Sequence, residues 1–205
     1  MKEIAPGVWH WTAHHKKIRS EVHSYFLAKE GVVVDPMKPA GGIERIGEIA
    51  RPREVVLTNR HHYRASGEVR DAYDIPVRCH RAGMHEFTKG EEVEPFEFGD
   101  RFAGGVEAVE IGVLCPEETA LYVDRDGGIV ALGDCVVRWE PGGPLVFVPD
   151  EHLGDDPASV KKGLRASLTR LLDERDFDIL LLAHGEPIVG GAEEALRSFV
   201  EADEP

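Results

Sequence analysis

Two adjacent histidines set among arginines place ligating and charged side chains in one loop, within Val55-Val56-Leu57-Thr58-Asn59-Arg60-His61-His62-Tyr63-Arg64-Ala65-Ser66-Gly67. An apolar run ends at Thr58, a polar loop comes next, and Gly67 stands at the start of an expected short helix. Imidazoles in such a loop can bind a metal ion or move a proton. Arg60, His62 and Arg64 can also make an anion site, reading a carboxylate or phosphate through charge-assisted hydrogen bonds. Arg64 itself cannot be a ligand, because its guanidinium stays protonated.

This segment resembles the signature of the metallo-β-lactamase superfamily, Thr-His-x-His-x-Asp-His-x-x-Gly after a buried strand. Thr58, His61 and Gly67 match, while Asn59, Tyr63 and Arg64 stand where the family has His, Asp and His. The turn Gly112-Val113-Leu114-Cys115-Pro116 carries Leu114 at the family's next histidine, with the Cys115 thiol one place along. Asp134, after Ile129-Val130-Ala131-Leu132-Gly133, and His184, after Leu180-Leu181-Leu182-Ala183, match the last two ligands. Asp35, closing Val32-Val33-Val34, matches a strand-end Asp that braces the ligand loop; a simple turn role suits it equally. The likeness runs from Ala5-Pro6-Gly7-Val8 to His184-Gly185.

The resemblance implies a four-layer αββα sandwich, with two mixed β-sheets flanked by helices, as one domain over residues 1–205. It also implies a degenerate site. His61, Asp134 and His184 remain as a two-His, one-carboxylate set that holds at most one zinc, iron or manganese ion. Asp134 and His62 are the catalytic candidates, His62 as a proton relay. Arg64 is expected beside Asp134, partly replacing a missing cation. Asn59, Arg60, His62, Tyr63, Arg64, Leu114 and Cys115 are expected to line the pocket. The implied activity is hydrolysis of a small ester, thioester or lactone. The rival is a metal-free pseudoenzyme or small-anion-binding protein using the Arg/His pocket, and a purely structural or interaction role is a third reading.

The elements that must position these residues can be read from periodicity. Strands are expected over 7–11, 24–28 and 31–34, a helix over 42–50 ended by Pro52, and a buried strand over 55–58. The basic cluster His14-His15-Lys16-Lys17 reads as a solvated turn. A helix over 65–73 and a strand over 75–79 follow. Strands come next over 96–102, 106–113, 119–123 and 129–132. Asp156-Pro157 starts a helix to about residue 174. A strand over 178–183 and a helix over 192–202 complete the chain, with a frayed acidic tail over 201–205.

Composition narrows the function classes. The 205 residues include 24 Lys and Arg against 38 Asp and Glu, a formal charge of −14. Such a surface repels nucleic-acid phosphates and anionic lipid, so a small-molecule partner is expected instead. No apolar run approaches the roughly 18 residues of a membrane span, and a cytoplasmic location is expected. Cys79, Cys115 and Cys135 lack CxxC spacing and read as reduced, mostly buried thiols.

Overall fold

A computed structural model describes residues 1–202. The part of the expected acidic tail from residue 203 onward lies outside them. One sheet has seven strands ordered as in the chain: β1 Lys2–Ala5, β2 Val8–His15, β3 Ser20–Leu27, β4 Val32–Val34, β5 Glu54–Val56, β6 Val77–His80 and β7 Glu94–Phe96. β1 to β4 are antiparallel, and β4 to β7 are parallel. The parallel strands bring Val33, Val55 and Val77 into register. All three are buried, which is why this stretch reads as apolar runs rather than alternation.

The second sheet comprises β8 Glu107–Glu110, β9 Thr119–Val123, β10 Ile129–Leu132, β11 Ile179–Leu182 and β12 Ile188–Val189, in the order β12-β11-β10-β9-β8. β10 and β11 are parallel and the other pairs antiparallel. Four helices cover the outer faces: α1 Glu44–Gly47, α2 Ser66–Tyr73, α3 Pro157–Glu174 and α4 Ala192–Glu201.

Three apolar clusters define four layers. Ile46 of α1 and Val69 of α2 pack on Phe26, Val33 and Val55 of the first sheet. Tyr25, Leu27 and Val56 meet Leu121, Ala131 and Leu181 between the sheets. Leu164, Leu168 and Leu171 of α3 and Leu196 of α4 close over Val130, Leu180 and Leu182. The αββα sandwich is the arrangement that buries both faces of both sheets.

Several local signals act as expected. Asp156 caps α3 by accepting from the Ser159 N–H at 3.0 Å, with Pro157 at the first helical position. The helix over 42–50 is reduced to a single α-turn. Gly41 and Gly42 hold φ of 92° and 101°, and i→i+3 bonds from Ile46 and Ile49 tighten the chain beyond them. The strand expected over 96–102 instead ends at Phe96, because the Asp100 carboxylate accepts from the Glu97 N–H at 2.8 Å and turns the chain. The first hairpin is longer than expected, pairing His15 with Ser20, so its tip carries Ile18.

The three cysteines are free and buried. Among the described residues no helix is long and apolar enough to cross a membrane.

Candidate metal centre

Asp35, Thr58, Asp134 and His184 each stand just beyond the carboxyl end of a strand, respectively β4, β5, β10 and β11. The two sheets are stitched together here. The His23 N–H donates to the Ala183 carbonyl at 2.9 Å, the Thr119 N–H to the Thr58 carbonyl at 2.9 Å, and the Tyr25 hydroxyl to the Leu182 carbonyl at 2.8 Å. These cross-sheet bonds, two between backbones and one from a buried tyrosine, hold the strand ends at a common edge.

The loop after β5 opens with a short 3-10 turn, Arg60–His62. Asn59 caps it, its amide oxygen accepting from the His61 N–H at 3.0 Å. The other end of the same amide donates to Glu118 at 3.1 Å and to Asp134 Oδ2 at 3.0 Å. This turn swings His62 inward and leaves His61 exposed.

The compact donor set is therefore His62, Asp134 and His184, whose ligating atoms all lie within 4.8 Å of one another. His61 is not in it. It lines a neighbouring cavity with Arg60, Leu114, Cys115, Asp134 and His184, so the expected trio of His61, Asp134 and His184 is redrawn around His62.

Asp134 Oδ1 lies 3.2 Å from His62 Nε2 and 3.1 Å from His184 Nε2. It is buried, yet no hydrogen bond reaches it. Three donor atoms so placed fit a divalent ion: bonds of ~2.0–2.1 Å in a tetrahedral shell put neighbouring ligands about 3.3 Å apart. The support behind His62 fits as well. His62 Nδ1 is 2.8 Å from Asp35 Oδ2 and 2.9 Å from Thr58 Oγ1. Asp35 also accepts from the Thr58 N–H at 2.9 Å and its hydroxyl at 2.6 Å. A carboxylate behind an imidazole places the proton on Nδ1 and turns the Nε2 lone pair toward the centre. The bracing role is what the structure assigns to Asp35.

Electrostatics follow from this crowding. Burial and the Arg64 charge push the His62 imidazole down, but the Asp134 and Asp35 carboxylates outweigh them and raise it to about 9. Burial works against ionised Asp134, yet the His62 and His184 rings hold it well below the usual carboxylate range. Glu118, which the sequence alone does not single out, is fully buried and accepts from the N–H groups of Asp134 at 2.7 Å and Cys135 at 3.1 Å. Burial first, and then the Asp134 charge, raise it to about 7. Its only sequence signal is an acid directly before a buried strand.

The remaining expected pocket residues divide. Asn59 gives its oxygen to the His61 N–H and turns its amide nitrogen, which cannot ligate, toward Asp134. Arg60 pairs with the fully buried Glu117. Tyr63 packs against Phe87, with ring centroids 5.8 Å apart, in the outer helical layer rather than on the cavity. Arg64, at φ 45°, donates at 3.0 Å to the carbonyls of His23 and Asp35, not to Asp134 as expected. Its buried charge still acts on both Asp35 and Asp134. Cys115 donates to Glu118 at 3.4 Å, burial pushes its thiol far up, and it is not part of the compact donor group.

Behind His184 a second, polar cavity is lined by His10 and His23. Their Nε2 and Nδ1 atoms are 2.8 Å apart and their rings stacked at 5.0 Å. Burial chiefly, helped by nearby positive charge, holds both imidazoles down at about 4. The unfolded chain, at the ordinary 6.5, takes up protons first as pH falls. Stability from this pair is complete above about 6.5 and is lost on descending toward about 4. Urea unfolding of His10→Phe is expected to lose less stability than the parent between these pH values. Equal losses in both proteins would refute the assignment.

No family model and no curated protein matches this chain. Solved structures do. A metallo-β-lactamase family protein from Thermus thermophilus matches at TM-score 0.68 and 17% identity, over 97% of this chain and 79% of that one. A metallo-β-lactamase from Pontibacter korlensis matches at 0.68 and 19%, over 98% of each chain. A protein named TTHA1623, solved in a di-iron-bound form, matches at 0.64 and 22%, over 92% of this chain and 99% of that one. This chain has the metallo-β-lactamase fold. Fold and site together define a protein of that architecture with, among the described residues, one compact His-Asp-His group able to hold a metal ion.

Proposed function

We propose that this protein is a hydrolase with a single-ion site, in which His62, Asp134 and His184 hold zinc, iron or manganese and the bond cleaved is that of a small ester, thioester or lactone. The observation that carries this reading is the buried Asp134 Oδ1, 3.1 and 3.2 Å from two imidazole nitrogens and without a hydrogen bond. When bound, the ion supplies Lewis acidity toward a carbonyl and a more acidic water.

The chain's own residues position the reaction. Asp35 holds the His62 ring, Asn59 restrains Asp134 Oδ2, and Glu118 anchors the backbone that presents Asp134. His62 is committed on both sides and is not free for the proton relay expected of it. A single ion is favoured because Asn59, Tyr63, Arg64 and Leu114 add no ligand to the group, and the Arg64 charge opposes a second cation.

The rival metal-free anion pocket has less support. Arg60 is neutralised by Glu117, Arg64 donates to two carbonyls and does not line the cavity, and His62 faces two carboxylates.

Removing metal with a chelator is expected to abolish turnover of small ester, thioester and lactone substrates, and adding back about one equivalent to restore it. Mass spectrometry of the loaded protein should find one ion per chain. Turnover indifferent to chelation, or two ions per chain, would sink the single-ion reading.

A further inference from the structure

The cavity beside the His62–Asp134–His184 group is lined by Ile18, Leu114, Trp139 and Val148 as well as by Ser20, Arg60, His61 and His152. Ile18 and Trp139 are 53% and 52% exposed, two of only four large hydrophobic residues so exposed among the described residues. Both line this cavity, with Leu114 and Val148 beside them. Ile18 is carried there by the long first hairpin, and Leu114 by a loop in which Val113 holds φ 67°, a conformation costly for a β-branched residue. On a chain with 38 acidic residues, Asp134 is the only acid lining this cavity among the described residues. The cavity holds about 570 Å³, a volume typical of small-molecule sites. The neighbouring cavity beyond His184 shares Trp139 but carries Glu21 and Glu186 on its walls and lacks Ile18, Leu114 and Val148.

We infer that the substrate carries an alkyl acyl chain. The chain lies on Ile18, Leu114, Trp139 and Val148, with its carbonyl at the edge of the cavity formed by Asp134 and His184. This assignment rests on the hydrolase reading for the carbonyl's placement, but the apolar wall exists without it. Exposed apolar residues gathered at one concavity, in a surface otherwise acidic, are stabilised by covering them with an apolar ligand.

Straight-chain methyl ketones make suitable probes, since they carry an ester-like carbonyl and cannot be hydrolysed. Titrated by NMR into the whole protein, from butanone to nonanone, they should bind about fourfold tighter per added methylene, as burial of each group predicts. Ile18→Ser and Val148→Ser should flatten that gradient. Ile18 sits exposed at a hairpin tip, so its variant keeps the fold, which circular dichroism would verify. Affinity independent of chain length, no binding by any ketone, or a gradient unchanged in both variants would overturn the inference. Failure of the hydrolase reading would look different: no metal uptake and no ester turnover, with the ketone gradient intact.

Discussion

His62→Ala is expected to strip the protein of metal, whereas His61→Ala retains about one ion per chain. The two residues are neighbours, but the 3-10 turn capped by Asn59 buries the His62 ring and leaves His61 exposed. His62 Nε2 faces Asp134 Oδ1 and its other nitrogen is braced by Asp35, while His61 stays on the cavity wall. Losing a ligand should cost affinity beyond the roughly 10–100-fold that losing an outer partner costs. Because His62→Ala also takes from Asp35 the one imidazole that it braces, the companion variant is His184→Ala. His184 contributes to the same group from the other sheet and has no bracing carboxylate. Metal analysis of the three variants decides the matter. Loss in His61→Ala with retention in His62→Ala would reverse the assignment.

Asp35→Ala is expected to lower unfolding stability by about 3–5 kcal/mol, the usual cost of breaking a buried charged pair from one side. For a chain of this length that corresponds to a fall in Tm of about 10 °C. Asp35 is 1% exposed and accepts from the Thr58 backbone, the Thr58 hydroxyl and His62, so its removal leaves the Thr58 N–H without its acceptor and takes one partner each from the hydroxyl and His62. Ionisation of Asp35 is favoured although burial opposes it, because His62 and Arg64 lie beside it. Metal affinity should fall with stability, since the His62 ring loses its orienting partner. A variant unfolding within about 1 kcal/mol of the parent would show that Asp35 is only a turn residue.

Some of this is plain in one dimension. The buried strands 119–123 and 129–132 and the long helix from Asp156-Pro157 need only local pattern and cap chemistry, and they form where read. The four-layer arrangement is implied by the resemblance to the metallo-β-lactamase superfamily. Asp134 and His184 are legible because each comes after an uninterrupted apolar strand, which delivers its next polar residue to the sheet edge.

The choice between His61 and His62 is not legible. Aligning a motif assigns ligands by position, but the direction of a ring depends on a three-residue turn. That turn is set by Asn59, which answers to Glu118 and Asp134, residues 59 and 75 positions away. The same holds for Arg64, whose place near Asp134 is expected from the motif and whose bonds to two carbonyls are not. Ile18 directly follows a basic stretch that locally suggests only a solvated turn, and it is the hairpin's full length that carries it to the cavity.

By itself, the sequence determined the buried strands 119–123 and 129–132, the start of α3 and the strand-end residues that can carry charge or bind metal, because these follow from local sterics and apolar period. Only the tertiary structure decided which nitrogen meets Asp134 and which surface becomes apolar wall. Both are settled by contacts between segments far apart in the chain, whose energies no local pattern contains.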